Sequence, residues 1–132
     1  MIRILLVEDD PVIRDTTSYF LKCQQNFEVV CADTGGEALS HAREKFDVIL
    51  MDIRMPLMDG LTAAANIRHL SNADAKTIPI IAMTANAFDD DIEKSKAAGM
   101  NAHLAKPIEP DRLYQTLYNF IYERNADKDA GF

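Results

Sequence analysis

Val48-Ile49-Leu50-Met51-Asp52-Ile53-Arg54-Met55-Pro56-Leu57-Met58-Asp59-Gly60 is the stretch on which the reading of this chain turns. An apolar run of strand length ends abruptly in one carboxylate, Asp52. A tight apolar turn with Pro56 follows, then Asp59-Gly60 and a new helical pattern. Strand, turn and helix in that order make a β–α unit. A lone acid at the end of a buried strand needs a use, because an unpaired buried charge costs several kcal/mol or shifts its pKa. Asp52 is read as a nucleophile that accepts a phosphoryl group.

Outward from that stretch the same unit repeats. Arg3-Ile4-Leu5-Leu6-Val7 is a short apolar run, consistent with a strand buried on both faces, and it ends in Glu8-Asp9-Asp10. Asp10-Pro11 reads as an N-cap followed by proline at the first helical position. Val12, Ile13, Thr16, Phe20 and Leu21 are then spaced for one helix face. Asp10 therefore has a structural task, which leaves Glu8 and Asp9 to explain. Phe27–Ala32 is the second strand, and residues 37–45 are a short helix. Asp59 caps a third helix over 61–70, and 71–77 is a polar loop. The fourth strand, 78–83, ends in Thr84. A fourth helix over 89–98 is stopped by Gly99. Ala102–Ala105 is a short fifth strand ending in Lys106-Pro107. Pro110 opens the fifth helix, with Leu113, Leu117, Phe120 and Ile121 as its apolar stripe. From about Asn125 the tail is polar and expected to fray.

Five β–α units without repeat or linker specify an α/β fold, with a parallel sheet and helices on both faces. One doubly wound domain is expected over residues 1–124. Crossovers are right-handed, and ligands bind at the carboxyl ends of the strands where the strand order reverses. An order of 2-1-3-4-5 would gather Glu8-Asp9, Asp52, Thr84 and Lys106 at one place. The second strand ends in Ala32-Asp33 and is placed at the edge.

A length of 132 residues suits one domain able to bury its core without staples. The formal charge of −7 argues against direct nucleic-acid binding, which needs clustered Lys and Arg. No apolar run reaches the roughly 20 residues of a membrane span, so no membrane contact is expected. The opening residues lack the pattern of a secretory leader. Cys23 and Cys31 fall in apolar contexts and read as two reduced core thiols of a cytoplasmic protein.

Converging carboxylates would repel one another if all were ionised. A hard divalent cation relieves this, and Mg²⁺ prefers a few carboxylates together with waters and phosphate oxygens. Asp52 would be both ligand and nucleophile. The Lys106 ammonium and the Thr84 hydroxyl would cover the equatorial oxygens of the transferred group.

Four marks in order carry a resemblance: Leu6-Val7-Glu8-Asp9-Asp10, the stretch from Met51 to Gly60, Ala82-Met83-Thr84-Ala85, and Lys106-Pro107. From Ile2 to Ile121 the chain resembles the receiver domains of response regulators, the CheY-like family. The run Ile80–Ala87 with Gly99-Met100-Asn101 resembles receivers attached to hybrid histidine kinases, so the native protein is either longer than this chain or a stand-alone relay. The resemblance implies a flavodoxin-like (βα)5 fold and a Mg²⁺ cofactor. Asp52 maps to the phosphoacceptor, Asp9 to the direct metal ligand, and Glu8 to an acid acting through water. The backbone carbonyl of Arg54 maps to a further ligand. Thr84 maps to the switch hydroxyl and Lys106 to the phosphate-contacting lysine, and a cis Lys106–Pro107 bond is implied. Such a domain is a signalling phosphoacceptor and not an enzyme beyond its own phosphorylation and dephosphorylation. Its partner is a histidine kinase or histidine phosphotransfer protein, expected to dock near Val12, Ile13 and Ile108. Phosphorylation is expected to move Thr84 and residue 103, biasing the face of the fourth helix, fifth strand and fifth helix, through which a homodimer could form.

Two departures stand out. His103 occupies the position of the family's switch aromatic, where it is either a pH-responsive switch or a plain surface histidine. Glu8 replaces the commoner aspartate. Arg54 and Asn86 flank the pocket where the family tunes phosphoryl lifetime. Met51, Met55 and Met58 read as packing, and Asp89-Asp90-Asp91 as complements to a helix dipole. Two alternatives fit less well. A Mg²⁺-dependent phosphatase with an aspartyl nucleophile would want a second acid where Arg54 stands, and a cap domain. An inactive receiver-like binding module is hard to reconcile with Asp9, Asp52, Thr84 and Lys106 together.

Overall fold

Five strands run parallel: β1 (Ile2–Val7), β2 (Phe27–Ala32), β3 (Val48–Asp52), β4 (Ile80–Thr84) and β5 (Ala102–Ala105), in the order β2-β1-β3-β4-β5. The structure is a computed structural model that describes residues 1–85 and 89–129, without the side chains of 89–91 and 123–129. The helices are α1 (Pro11–Lys22), α2 (Gly35–His41), α3 (Gly60–Arg68), α4 (Ala73–Thr77), α5 (Asp89–Ala97) and α6 (Pro110–Asp129). The fold and strand order expected from the sequence are those found.

Strand alternation divides the core in two. Ile4 and Leu6 of β1 join Leu50, Leu21 of α1 and Leu113, Leu117 and Ile121 of α6. Leu5 and Val7 turn to the opposite face, against Ala38 of α2 and Ala63, Ala64 and Ile67 of α3. Both layers therefore close over β1, β3 and β4. Their carboxyl ends are left at one rim, where the polar residues stand.

Several expectations need correction. Residues 71–77 were expected to be a polar loop but contain α4, which buries Ala75. Five residues are too short to show a helical period, and the turn is held from outside, by Arg68 Nη1 donating to the Ala75 carbonyl at 3.1 Å. On α1 the inner stripe is Thr17, Ser18 and Leu21, and Val12 is 74% exposed. The apolar positions straddle two stripes, and only one meets the sheet. Cys23 and Cys31 are free but exposed, not core thiols. Cys23 caps the end of α1, and Cys31 lies on the edge strand β2. α6 takes in residues 125–129 as well. No glycine or proline interrupts the chain before Gly131, so the helix propagates one bond per residue. The expected fourth and fifth helices are thus α5 and α6. Asn86 lies outside the described residues. Gly99 does end α5, at φ +95°, with its carbonyl accepting from Arg68 Nη2 at 2.7 Å. No helix among the described residues is long and apolar enough to cross a membrane.

Candidate functional site

β3 delivers Asp52 to the rim at 3% exposure, between the ends of β1 and β4. β1 runs out into Glu8, whose backbone N–H still bonds to the Ala32 carbonyl of β2 at 3.0 Å. Asp10 then caps α1, its Oδ1 accepting from the backbone N–H groups of Val12 at 2.9 Å and Ile13 at 3.3 Å. This fixes the acid loop between two rigid elements. β4 ends in Thr84, which is buried, and its carbonyl accepts the Lys106 N–H at 2.8 Å. Lys106 follows β5 and precedes a cis bond to Pro107, as the resemblance implied.

The loop after Asp52 folds back on itself. The Gly60 N–H donates to the Ile53 carbonyl at 2.8 Å. A Cβ at residue 60 would stand 2.1 Å from the Asp52 carbonyl oxygen. Only glycine permits the start of α3 to lie against the backbone of Asp52. Asp59 caps that helix, accepting from Thr62 N–H at 2.8 Å. At the crown, Met58 N–H bonds to the Pro56 carbonyl two residues back, and Leu57 between them has φ +69° and is fully exposed. This is the left-handed γ-turn, a rare and strained form.

Three charged side chains meet inside this frame. Lys106 Nζ lies 2.7 Å from Glu8 Oε1 and 3.0 Å from Asp52 Oδ1. The same Asp52 oxygen accepts the Arg54 backbone N–H at 3.2 Å. Glu8 has no exposed surface, and its Oε2 accepts the Asp10 N–H at 3.4 Å. Burial, then the hydrogen bond to Asp52, push the Glu8 carboxyl up to about 8, against the pull of Lys106. Burial opposes the charge on Lys106, but contacts with Glu8 and Asp52 outweigh it and raise the amine above its usual range.

Ligand atoms of Glu8, Asp9 and Asp52 all lie within 4.8 Å of one another, and Asp9 is half-buried toward solvent. Oxygen donors at that spacing suit a hard divalent ion, so this donor set fits Mg²⁺. His103 is half-buried on β5, paired in register with Ala82. Glu8, Asp52 and Lys106 are in direct contact, with Asp9 and Thr84 at the adjoining strand ends. His103 sits back along β5. The Arg54 side chain is exposed beside the site. Sequence reasoning missed the Glu8–Lys106 ion pair and the backbone role of Gly60. The signals were there: an acid one methylene longer than usual, and a glycine at a helix start where a better helix former could stand.

The chain belongs to the response regulator receiver domain family, whose model matches residues 4–118. It is 37% identical over 118 residues to the signal transduction histidine-protein kinase BarA of Escherichia coli (strain K12), covering 89% of this chain and 12% of that protein. It is 30% identical over 131 residues to the response regulator Rre1 of Synechocystis, covering 98% of this chain and 56% of that protein. The chain thus spans only part of the relatives it matches. Among solved structures, the receiver domain of the sensor histidine kinase PA1611 of Pseudomonas aeruginosa, with a magnesium ion in its active site cleft, superposes at TM-score 0.82 with 39% identity, covering 90% of this chain and 96% of that one. The chemotaxis protein CheY4 of Vibrio cholerae superposes at 0.84 with 33% identity, covering 91% and 98%.

Proposed function

We propose that this receiver takes a phosphoryl group from a phosphohistidine on a histidine kinase or histidine phosphotransfer protein onto Asp52. The observation that carries the reading is the placement of Asp52: a buried strand-end carboxylate held at Oδ1 by Lys106 and the Arg54 N–H. An Asp52 oxygen attacks phosphorus in line. The new O–P bond forms as the donor's N–P bond breaks, and the departing imidazole nitrogen keeps the electron pair and takes a proton. Asp9, Asp52 and the Arg54 carbonyl would hold Mg²⁺ directly, with Glu8 acting through water. When bound, the ion supplies charge neutralisation to a phosphoryl oxygen. The Lys106 ammonium covers a second oxygen, and the Thr84 hydroxyl a third.

The donor would dock in the apolar groove of about 500 Å³ lined by Ile13, Thr16, Phe20, Pro107 and Ile108, with Lys106 in its wall. Movement of Thr84 and His103 toward the new phosphoryl group would bias the face of α5, β5 and α6, through which a second copy could pair. The domain is a signalling module that at most catalyses its own phosphorylation and dephosphorylation, and we place it in the cytoplasm, where two-component relays run. The working unit is residues 1–124.

Intact mass after incubation with acetyl phosphate and Mg²⁺ tests the reading. One added phosphoryl group is expected, absent with EDTA and absent in Asp52→Asn. An Asp52→Asn protein labelled to the same extent would overturn the assignment.

A further inference from the structure

We infer that Met58 is an oxidation site, and that its conversion to the sulfoxide by a peroxide slows phosphoryl transfer to Asp52. The second part rests on the phosphoacceptor reading above; the first part does not. All six methionines lie among the described residues. Met51 of β3 and Met83 of β4 are fully buried, and Met55 and Met100 are only 8% and 5% exposed. Met1 stands in solvent at the chain start. Met58 is half-buried, on the loop that runs from Asp52 to the first residue of α3. It alone of the six combines access from solvent with a place beside the site.

Two neighbours seat its sulfur. A Cβ at residue 35 would lie 2.9 Å from Met58 Sδ and equally close to its Cγ, so the thioether rests on bare backbone where α2 begins. Asn66 Nδ2 of α3 stands 3.9 Å from the same sulfur, a weak hydrogen bond, and Asn66 is itself exposed. Met58 therefore ties the loop to the start of α2 and to the flank of α3. The loop has little slack to absorb a shift there. Its crown is the strained turn at Leu57, and its end at Gly60 packs on the Asp52 carbonyl.

The chemistry follows from that seat. A sulfur lone pair attacks the terminal oxygen of a peroxide. The S–O bond forms as the O–O bond breaks, and the departing oxygen keeps the electron pair and takes the proton. The thioether is oxidised and the peroxide is reduced to an alcohol or water. An apolar side chain has become a polar one, and sulfoxide reductases restore it. An oxygen added on the Gly35 side would collide with that backbone. The product that fits carries its oxygen toward Asn66, whose amide then donates a full hydrogen bond to it. Turning to make that bond draws Met58 off Gly35 and pulls on the loop that holds Asp52.

Peptide mapping by mass, after graded hydrogen peroxide treatment of the folded protein, tests the site. Met58 is expected to gain oxygen at least fivefold faster than Met51, Met55, Met83 and Met100, with Met1 as the exposed reference. Oxidation of Met58 no faster than the buried four would overturn the site. The consequence is read separately, as the rate of labelling by acetyl phosphate with Mg²⁺. Protein carrying the Met58 sulfoxide should label at least threefold more slowly, and recover after treatment with methionine sulfoxide reductases. Met58→Leu keeps the apolar bulk without the sulfur, and its rate should be the same before and after peroxide. An unchanged rate in the oxidised wild type, or an equal loss in peroxide-treated Met58→Leu, would overturn the effect on transfer. If Met58→Leu does not fold, the reductase arm decides: a slowed rate that stays slow once Met58 is reduced again also overturns it. Untreated wild type that takes no label would sink the receiver reading and the effect on transfer with it, while the mapping would still judge the oxidation site.

Discussion

β1 carries an ionic cluster at each end, and the two differ in kind. At the start of the strand Arg3 lies 3.1 Å from Glu28 and 3.8 Å from Glu44, donates to the Lys45 carbonyl, and stacks 4.4 Å over the Phe46 ring. Those acids are about half exposed, at 50% and 53%. Just past its finish Glu8 is fully buried against Lys106. Water screens the first cluster, and such pairs contribute about 1 kcal/mol or less. The second has lost its hydration, and a buried pair regains that cost only with good geometry and further hydrogen bonds. Neither cluster is therefore a large source of stability. The charges at the dry end are held in place by packing, at the edge where chemistry is proposed.

The largest expected effect tests how tightly the dry end is built. Gly60→Ala puts a methyl where the Asp52 carbonyl oxygen already stands, so β3 or α3 must shift. We expect a loss of about 3 kcal/mol in urea unfolding, and labelling slowed tenfold or more. A variant of wild-type stability and rate would show that the contact does not constrain Asp52.

The second expectation concerns pH in the metal-free protein. Folded Glu8 titrates at about 8 against 4.5 for the free group, so between those values the native state holds more protons than the unfolded chain. Stability should therefore fall as pH rises from 5 to 8, by on the order of 2 kcal/mol from this group, and level off above. Glu8→Gln should flatten the decline in denaturation series run with EDTA. An equally steep fall in Glu8→Gln would assign it elsewhere. Added Mg²⁺ should recover stability by RT ln(1 + [L]/Kd), more at pH 8 than at pH 5, and Asp9→Ala should lose that recovery.

The smallest effect belongs to the wet end. Arg3→Met should cost about 1 kcal/mol or less, diminish further in high salt, and leave labelling unchanged. A loss of several kcal/mol, or slower labelling, would erase the contrast between the two ends.

Much of this was legible from residue types alone. Val48–Asp52 stands where the apolar run placed it, because a strand buried between helices admits little but aliphatic side chains. The strand order followed from asking which ends carried chemistry. What escaped was set by tertiary contact. The short helix around Ala75 is too brief to show a period, and its Ala75 carbonyl is satisfied by Arg68 from another element. Val12 fits an amphipathic pattern yet faces outward, since pattern alone does not say which of two neighbouring stripes meets the sheet. The ion pair of Glu8 with Lys106 also escaped, because resemblance supplies a role by position. The 2.7 Å contact with Lys106 depends on side-chain reach, which position does not record.

The chain contains no tryptophan, and the Leu57 side chain at the crown of the γ-turn is fully exposed. By chain length that crown is within roughly 18 Å of Asp52. An indole introduced there would be the molecule's sole tryptophan emitter, on a loop whose far end is pinned to the phosphoacceptor backbone. Arrival of metal or phosphoryl group could then be followed by light, in real time and without a radioactive label.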